Sequence, residues 1–182
     1  MTGKSTQPAG PPESGEYSSF FGNYIPLVTE GDVVGAMHDQ LEQLAALLRP
    51  VPESVGNVRH PPYTWSIKEV VGHITDTERV FSYRAMRIAR ADTTPLPGFD
   101  QDAYVSVANF DRLPLASLVS EFEAVRRSSI ILFTNLPADA WLRRGEASKV
   151  TLSVRALAYA IVGHARHHQK ILQKRLAESQ KG

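Results

Sequence analysis

Residues 65–81 read Trp65-Ser66-Ile67-Lys68-Glu69-Val70-Val71-Gly72-His73-Ile74-Thr75-Asp76-Thr77-Glu78-Arg79-Val80-Phe81. Ser66 and Glu69 have the spacing of a capping box, and Trp65 and Val70 stand at the two staple positions around it. The stretch therefore predicts a helix that starts at Ser66 and runs to about Arg90. It carries a histidine, His73, among Val70, Val71, Ile74 and Val80. A histidine embedded in aliphatic residues has to find a polar partner, so this helix also opens the question of chemistry.

Three further helical stretches lie around it. One spans Asp32 to Arg49, with Asp32 as its cap and Val33, Met37, Leu41, Leu44 and Leu48 at helical spacing. One spans Pro114 to Leu136, its stripe formed by Leu115, Leu118, Phe122, Val125, Leu132 and Phe133. The last spans Ser153 to Ser179. Helices of this size are about 27–40 Å long, and four amphipathic ones predict an all-α four-helix bundle. The connection from 91 to 113 is long, which predicts a crossover between the second and third helices and does not force a simple up-down-up-down order. Asp92 to Asp102, with Pro95, Pro97 and Gly98, reads as irregular. Trp141 to Thr151 reads as a small hairpin or a plain loop. Residues 1–16 have the Pro, Gly and Ser composition of a disordered tail. The body is expected over 17–179, beginning with an aromatic arm (Tyr17, Phe20, Phe21, Tyr24) that packs on it within a subunit or across a dimer.

The chain has 182 residues, a formal net charge of +1 and no cysteine. That length is a prior for one domain with a sizeable core. The absence of cysteine excludes a disulfide framework, a thiolate nucleophile and Cys-ligated metal sites, so any metal must be held by His and carboxylates. A near-zero charge gives no electrostatic case for nucleic acid. No segment is apolar enough over 18 residues to span a membrane, and the N-terminus lacks the apolar core of a signal peptide. The expected compartment is the cytoplasm.

Six histidines occur, at 38, 60, 73, 164, 167 and 168. His164 and His168 are four residues apart, which on a helix sets both imidazoles on one face. Such spacing is weak evidence alone, but both stand in the apolar stripe Leu157, Ile161, His164, His168, Ile171, Arg175, where aliphatic residues belong. They read either as ion ligands or as core histidines satisfied by hydroxyls or carboxylates. His73 is the natural third ligand; its alternative is a lone half-buried histidine. The Glu that follows the first His in a His-Glu-x-x-His protease is absent, since Ala165 stands there. Arg84 falls on the face of His73, about 16 Å further along the helix. It could hold a substrate carboxylate or a thiol-cofactor anion, or form a salt bridge to a neighbouring helix. Asp76 could orient a histidine, or be an exposed helix charge. His167 points away from the other two, His38 and His60 read as structural, and Trp65 and Trp141 read as cap and core.

The run 65–81, together with Arg87-Ile88-Ala89-Arg90, Pro95-Leu96-Pro97-Gly98-Phe99-Asp100 and Gly163-His164-Ala165-Arg166-His167-His168, resembles the DinB/YfiT-like proteins. The resemblance covers about residues 20–178. It implies a four-helix bundle with a long crossover and a divalent metal site whose ligands are His73, His164 and His168. It also implies a choice of activities: transfer of a small thiol (bacillithiol, mycothiol or glutathione) or metal-dependent hydrolysis. Homodimers are common in such a family.

The expected function is therefore a divalent-metal enzyme, with zinc, nickel or iron as the ion, acting on a small molecule. The preferred reaction is attack of a low-molecular-weight thiol on an electrophile, the thiol coming from outside because the chain has none. The alternatives are hydrolysis, with Asp76, Asp100 or Asp102 as candidate bases, and a metal-stabilised binding module without catalysis.

Overall fold

The structure, a computed structural model, describes residues 10–179. Its order is α1 (Val33–Leu48), α2 (Glu53–Gly56), α3 (Ile67–Ala89), α4 (Gln101–Ala108), α5 (Leu115–Thr134), β1 (Arg144–Ala147), β2 (Val150–Ser153) and α6 (Val154–Ser179). No described helix is long and apolar enough to cross a membrane.

The four long helices begin where local chemistry starts them. The Asp32 carboxylate accepts from Gly35 N at 2.9 Å and caps α1. On α3 the capping box is complete: Ser66 Oγ accepts from Glu69 N at 3.0 Å, and Glu69 Oε2 accepts from Ser66 N at 2.7 Å. Pro114 stands just before α5 rather than inside its first turn.

Helix directions follow from which residues meet. Ser66 at the start of α3 donates to Asp111 just before α5, and Arg79 further along α3 reaches Glu121 within α5, so α3 and α5 run parallel. His73 meets His164, and Arg175 donates to Trp65 O, so α3 and α6 are antiparallel. Gln40 donates to Val162 O and Gln169 to Gln43, so α1 and α6 are parallel. The bundle is thus up-down-down-up. The chain from 90 to 114 has to travel back along α3, whose 23 residues span about 34 Å. This is the expected crossover, but it is not irregular throughout. It contains α4, capped by Asp100 Oδ1, which accepts from Asp102 N and Ala103 N at 3.0 and 3.1 Å. Only Val105 of α4 is buried, so no apolar period marks it.

Residues 144–153 form the hairpin, antiparallel in register Arg144↔Ser153 to Ala147↔Val150. Its two-residue turn holds Ser148 and Lys149 at φ 53° and 64°, the left-handed pair such a tight turn needs. Neither residue is the usual Asn or Gly, so the turn was not readable locally. Leu96 joins the hairpin edge, accepting from Ser148 N at 3.0 Å.

The part of the expected tail before residue 10 lies outside the described residues. Within 10–16 the structure differs from the tail reading: Glu16 is buried and accepts hydrogen bonds from Ser153 Oγ and Arg155. Beyond it, two 3₁₀ turns, Ser19–Asn23 and Ile25–Leu27, carry the aromatic arm. The arm packs on its own chain, burying Phe21, Ile25 and Val28, and Arg166 of α6 donates to Leu27 O at 2.7 Å.

At the centre Arg126 is fully buried and bonded to the equally buried Glu78 at 2.8 Å. Replacing Glu78 with Gln leaves the guanidinium buried without a counter-charge, which should cost about 3–5 kcal/mol. Glu121→Gln on the surface pair with Arg79 should cost under about 1 kcal/mol. Urea denaturation of the two variants checks this contrast.

Candidate functional site

His73 comes from the second turn of α3, and His164 and His168 from the middle of α6. Because these helices are antiparallel neighbours, the three imidazoles meet. Ring centroids lie 4.8 Å (His73–His164), 4.9 Å (His73–His168) and 4.6 Å (His164–His168) apart. One donor nitrogen from each lies within 4.8 Å of the others. His73 Nε2 and His164 Nε2 are 2.9 Å apart. Nitrogens bound tetrahedrally at 2.0–2.1 Å stand about 3.3 Å apart, so little movement separates this arrangement from a ligand set.

Two glycines allow the histidines to sit there. Gly72 precedes His73, and a Cβ on it would collide with the Phe110 ring. Gly163 precedes His164, and a Cβ on it would collide with the Tyr24 carbonyl. Glycine inside a helix costs about 1 kcal/mol against alanine, and here that cost permits close approach of the crossover and the arm.

The electrostatics favour neutral imidazoles. Burial drives His164 well below its ordinary pKa, aided by repulsion from His168, His73 and His167. Burial lowers His73 to about 4. Burial, with repulsion from His73 and His167, lowers His168 to about 3. Neutral imidazole is the form that ligates a metal. His168 also keeps a buried Nδ1 with no hydrogen-bond partner. Buried donors and acceptors are normally satisfied, so an unmet nitrogen among three neutral imidazoles fits a divalent cation. His73 Nδ1 faces Thr77 Oγ1 at 3.5 Å, one turn along the same helix. With its Nδ1–H directed at that hydroxyl, His73 turns Nε2 toward the other histidines.

The remaining expected residues divide. Arg84 is buried and lines a cavity of about 620 Å³ that also touches His164. It forms no salt bridge among the described residues; Nη2 donates to Pro97 O and Ser148 Oγ, both at 2.8 Å. Asp76 is not beside the histidines. It pairs with Arg79 at 3.2 Å, which continues to Glu121 on α5. Burial pushes its carboxyl up, opposed by Arg79. Of the candidate bases, Asp100 reaches the cavity wall but caps α4, and Asp102 is exposed on α4. His167 stays outside the cluster, packing edge-on against Tyr24 at 5.6 Å. His38 is exposed, and His60 bonds Ser179 and Arg175.

Several contributors had not been read as part of the histidine site. Trp65 does more than staple its helix: its ring lies 4.7 Å from that of His73. Tyr24 stacks edge-on against His164 at 5.3 Å and joins Phe20 and Phe21 on the cavity wall. The signals were present in part: Thr77 is four residues beyond His73, and Gly163 interrupts an otherwise good helix next to a histidine.

A family model of the DinB superfamily matches residues 36–172, a span that holds all three histidines and Arg84. The chain belongs to the DinB superfamily. Among solved structures it is similar to YfiT from Bacillus subtilis, described as a probable metal-dependent hydrolase with an unusual four-helix bundle topology. That likeness has a TM-score of 0.69 at 14% identity and covers 80% of this chain and 86% of the other. At such identity it is a likeness of fold, and function has to be argued from the site. No curated protein matched the sequence. The aromatic arm, which forms part of the cavity wall, lies before the span of the DinB superfamily match.

The lowered histidines make a pH prediction for chelator-treated protein. Above about pH 6.5 they are neutral in both folded and unfolded chains. Below it the unfolded chain takes up protons that the folded chain refuses until about pH 4 for His73 and about 3 for His168. Stability should therefore fall as the pH drops. Thermal melts should show a steady decrease in Tm between pH 6.5 and 5, above the range where carboxylates titrate. A Tm that stays constant there would contradict the assignment.

Proposed function

We propose that this DinB superfamily member is a divalent-metal enzyme in which His73, His164 and His168 are the ligands and a small molecule is the substrate. The observation that carries the reading is the convergence of three neutral imidazoles, two buried and one half-buried, of which His164 lines a large cavity. When bound, a divalent ion supplies Lewis acidity and lowers the pKa of a thiol or of water. Three neutral ligands leave the ion's charge uncompensated, so anionic partners are favoured. Imidazole accepts zinc, nickel and iron alike.

Of the two nucleophiles, a small thiol is the better supported. A thiol ionises near pH 8.5 and needs little help, whereas water is a far weaker acid. No described carboxylate joins the histidine cluster to act as a base. Asp76 is turned toward α5, and Asp100 is occupied in capping. The chain has no cysteine, so the thiol would be a co-substrate. The residues then have simple tasks. Thr77 holds His73 in its tautomer, Trp65 and Tyr24 shield the imidazoles, and the arm keeps bulk water from one side of the cavity. Hydrolysis is the second reading, favoured by the description of YfiT.

The test is metal content by elemental mass spectrometry, with zinc titration of the metal-free protein beside it. Wild type should hold about one ion per chain and gain Tm with zinc; His73→Ala should lose at least about tenfold in affinity. Loaded wild type is then assayed with a chromogenic electrophile, with and without a low-molecular-weight thiol, and with an ester panel. Conjugation that depends on the thiol supports transfer, and ester cleavage without it supports hydrolysis. Absence of both, with metal still raising Tm, leaves a metal-stabilised binding module.

A further inference from the structure

The geometry points to Arg84 as the binding residue for a carboxylate on the substrate, which makes the substrate class an apolar, chain- or ring-bearing small carboxylic acid. This deepens the proposed function and rests on the cavity beside the histidines being the reaction chamber.

The first observation is the state of Arg84. Its side chain is buried, yet no carboxylate pairs with it among the described residues. A buried guanidinium remains charged and is normally paired. Of the other buried guanidiniums, Arg126 pairs with Glu78 and Arg155 with Glu16, while Arg175, away from this cavity, is held by the Val58 and Trp65 carbonyls and His60. Arg84 instead spends Nη2 on a neutral carbonyl and a neutral hydroxyl, while Nε and Nη1 have no protein acceptor among the described residues. Burial pulls its pKa down, with no negative neighbour to oppose it. Asp100 is the carboxylate on this wall, and its Oδ1 is held by the first turn of α4.

The second observation is position. His73 and Arg84 are eleven residues apart, three turns of α3 on one face. The guanidinium folds back toward the histidines, with Cζ 5.9 Å from the Phe81 ring and 5.8 Å from the Phe99 ring. The Phe81 ring is in turn 6.3 Å from His164. With 5.9 and 6.3 Å as its two legs, the path from guanidinium to imidazole is at most about 12 Å. The cavity wall is rich in aromatic rings: Phe81 and Phe99, with Phe20, Phe21 and Tyr24 from the arm. The volume of about 620 Å³ lies within the usual range for small-molecule sites. A molecule with its carboxylate on Arg84 and an apolar body along Phe81 would present its other end to the histidines. A charge-assisted hydrogen bond to an otherwise unpaired buried cation gives the carboxylate its selectivity over neutral analogues.

The rival role is structural, because Arg84 also ties the Pro97 segment to the hairpin turn at Ser148. Ser148→Ala loosens that tie and keeps the guanidinium, so it separates the two roles. The probes are 4-phenylbutanoate and its neutral isostere 4-phenylbutanamide. Both are titrated calorimetrically into the metal-free full-length chain, where no ion can capture the carboxylate. Wild type should bind the acid at least tenfold more tightly than the amide. Ser148→Ala should retain that preference and Arg84→Gln should abolish it. Should Arg84→Gln fail to fold by circular dichroism, Arg84→Lys, which keeps the charge, should still favour the acid. Equal affinity for acid and amide overturns the proposal, as does binding of neither at millimolar concentration. Survival of the preference in Arg84→Gln also overturns it, as does acid binding that appears only with zinc and ignores that substitution. A preference for the acid in a protein that takes up no zinc would overturn the metal reading alone.

Discussion

The bundle depends on one buried cation being fully satisfied. Arg126 on α5 bonds Glu78 on α3 through Nε and Nη2, and Gln40 on α1 through Nη1 at 2.8 Å. Gln40 passes the network on, donating to Val162 O of α6 at 3.1 Å. All four long helices therefore meet at a single guanidinium. A buried ion pair is weak evidence for net stability, but a misplaced one is expensive. Any sliding of one helix by a turn would leave a charge or an amide unpaired in the core. The network thus sets the relative heights of the helices, and those heights bring His73 level with His164 and His168.

Around that frame, bulk and backbone approach are traded at two positions. Gly72 admits Phe110 from the end of the crossover, and Gly163 admits the backbone of the arm at Tyr24. Each glycine stands directly before a histidine of the cluster. The neighbours that desolvate the imidazoles, and so hold them neutral, come from the arm and from Trp65. Burial is what keeps the site ready for a cation and is also what makes it sensitive to acid. Loops collected from distant parts of the chain close the far side of the cavity: the Pro97–Phe99 segment, the first turn of α4 and the tight turn at Ser148. The hairpin turn keeps its left-handed residues because tertiary hydrogen bonds to Leu96 and Arg84 hold it.

What could be read in advance followed the range of each interaction. Caps act across three residues, so Ser66 and Glu69 announced α3 without help from the rest of the chain. Helical stripes repeat within a turn, so the four long helices and the spacing of His164 and His168 were visible. Helix α4 was hidden because its face is almost entirely solvated, and the hairpin stayed undecided against a plain loop because Ser148 and Lys149 are unusual in such a turn. Asp76 was ambiguous because a helix position near a histidine faces two neighbours, and only the packing of α5 shows that it turns to Arg79 and Glu121.

By itself the sequence determined the four long helices, the long crossover, the absence of thiol chemistry from the chain, and the three histidines as a candidate set. These are consequences of composition and of contacts a few residues apart. Only the tertiary structure decided the up-down-down-up order, the arm's seat on its own chain, the neutrality of the imidazoles and the unpaired state of Arg84. Each of those depends on groups scores of residues apart that approach one another only when the bundle closes. Burial, which sets pKa values and the cost of an unpaired charge, is a property of that closed bundle and of no segment of it.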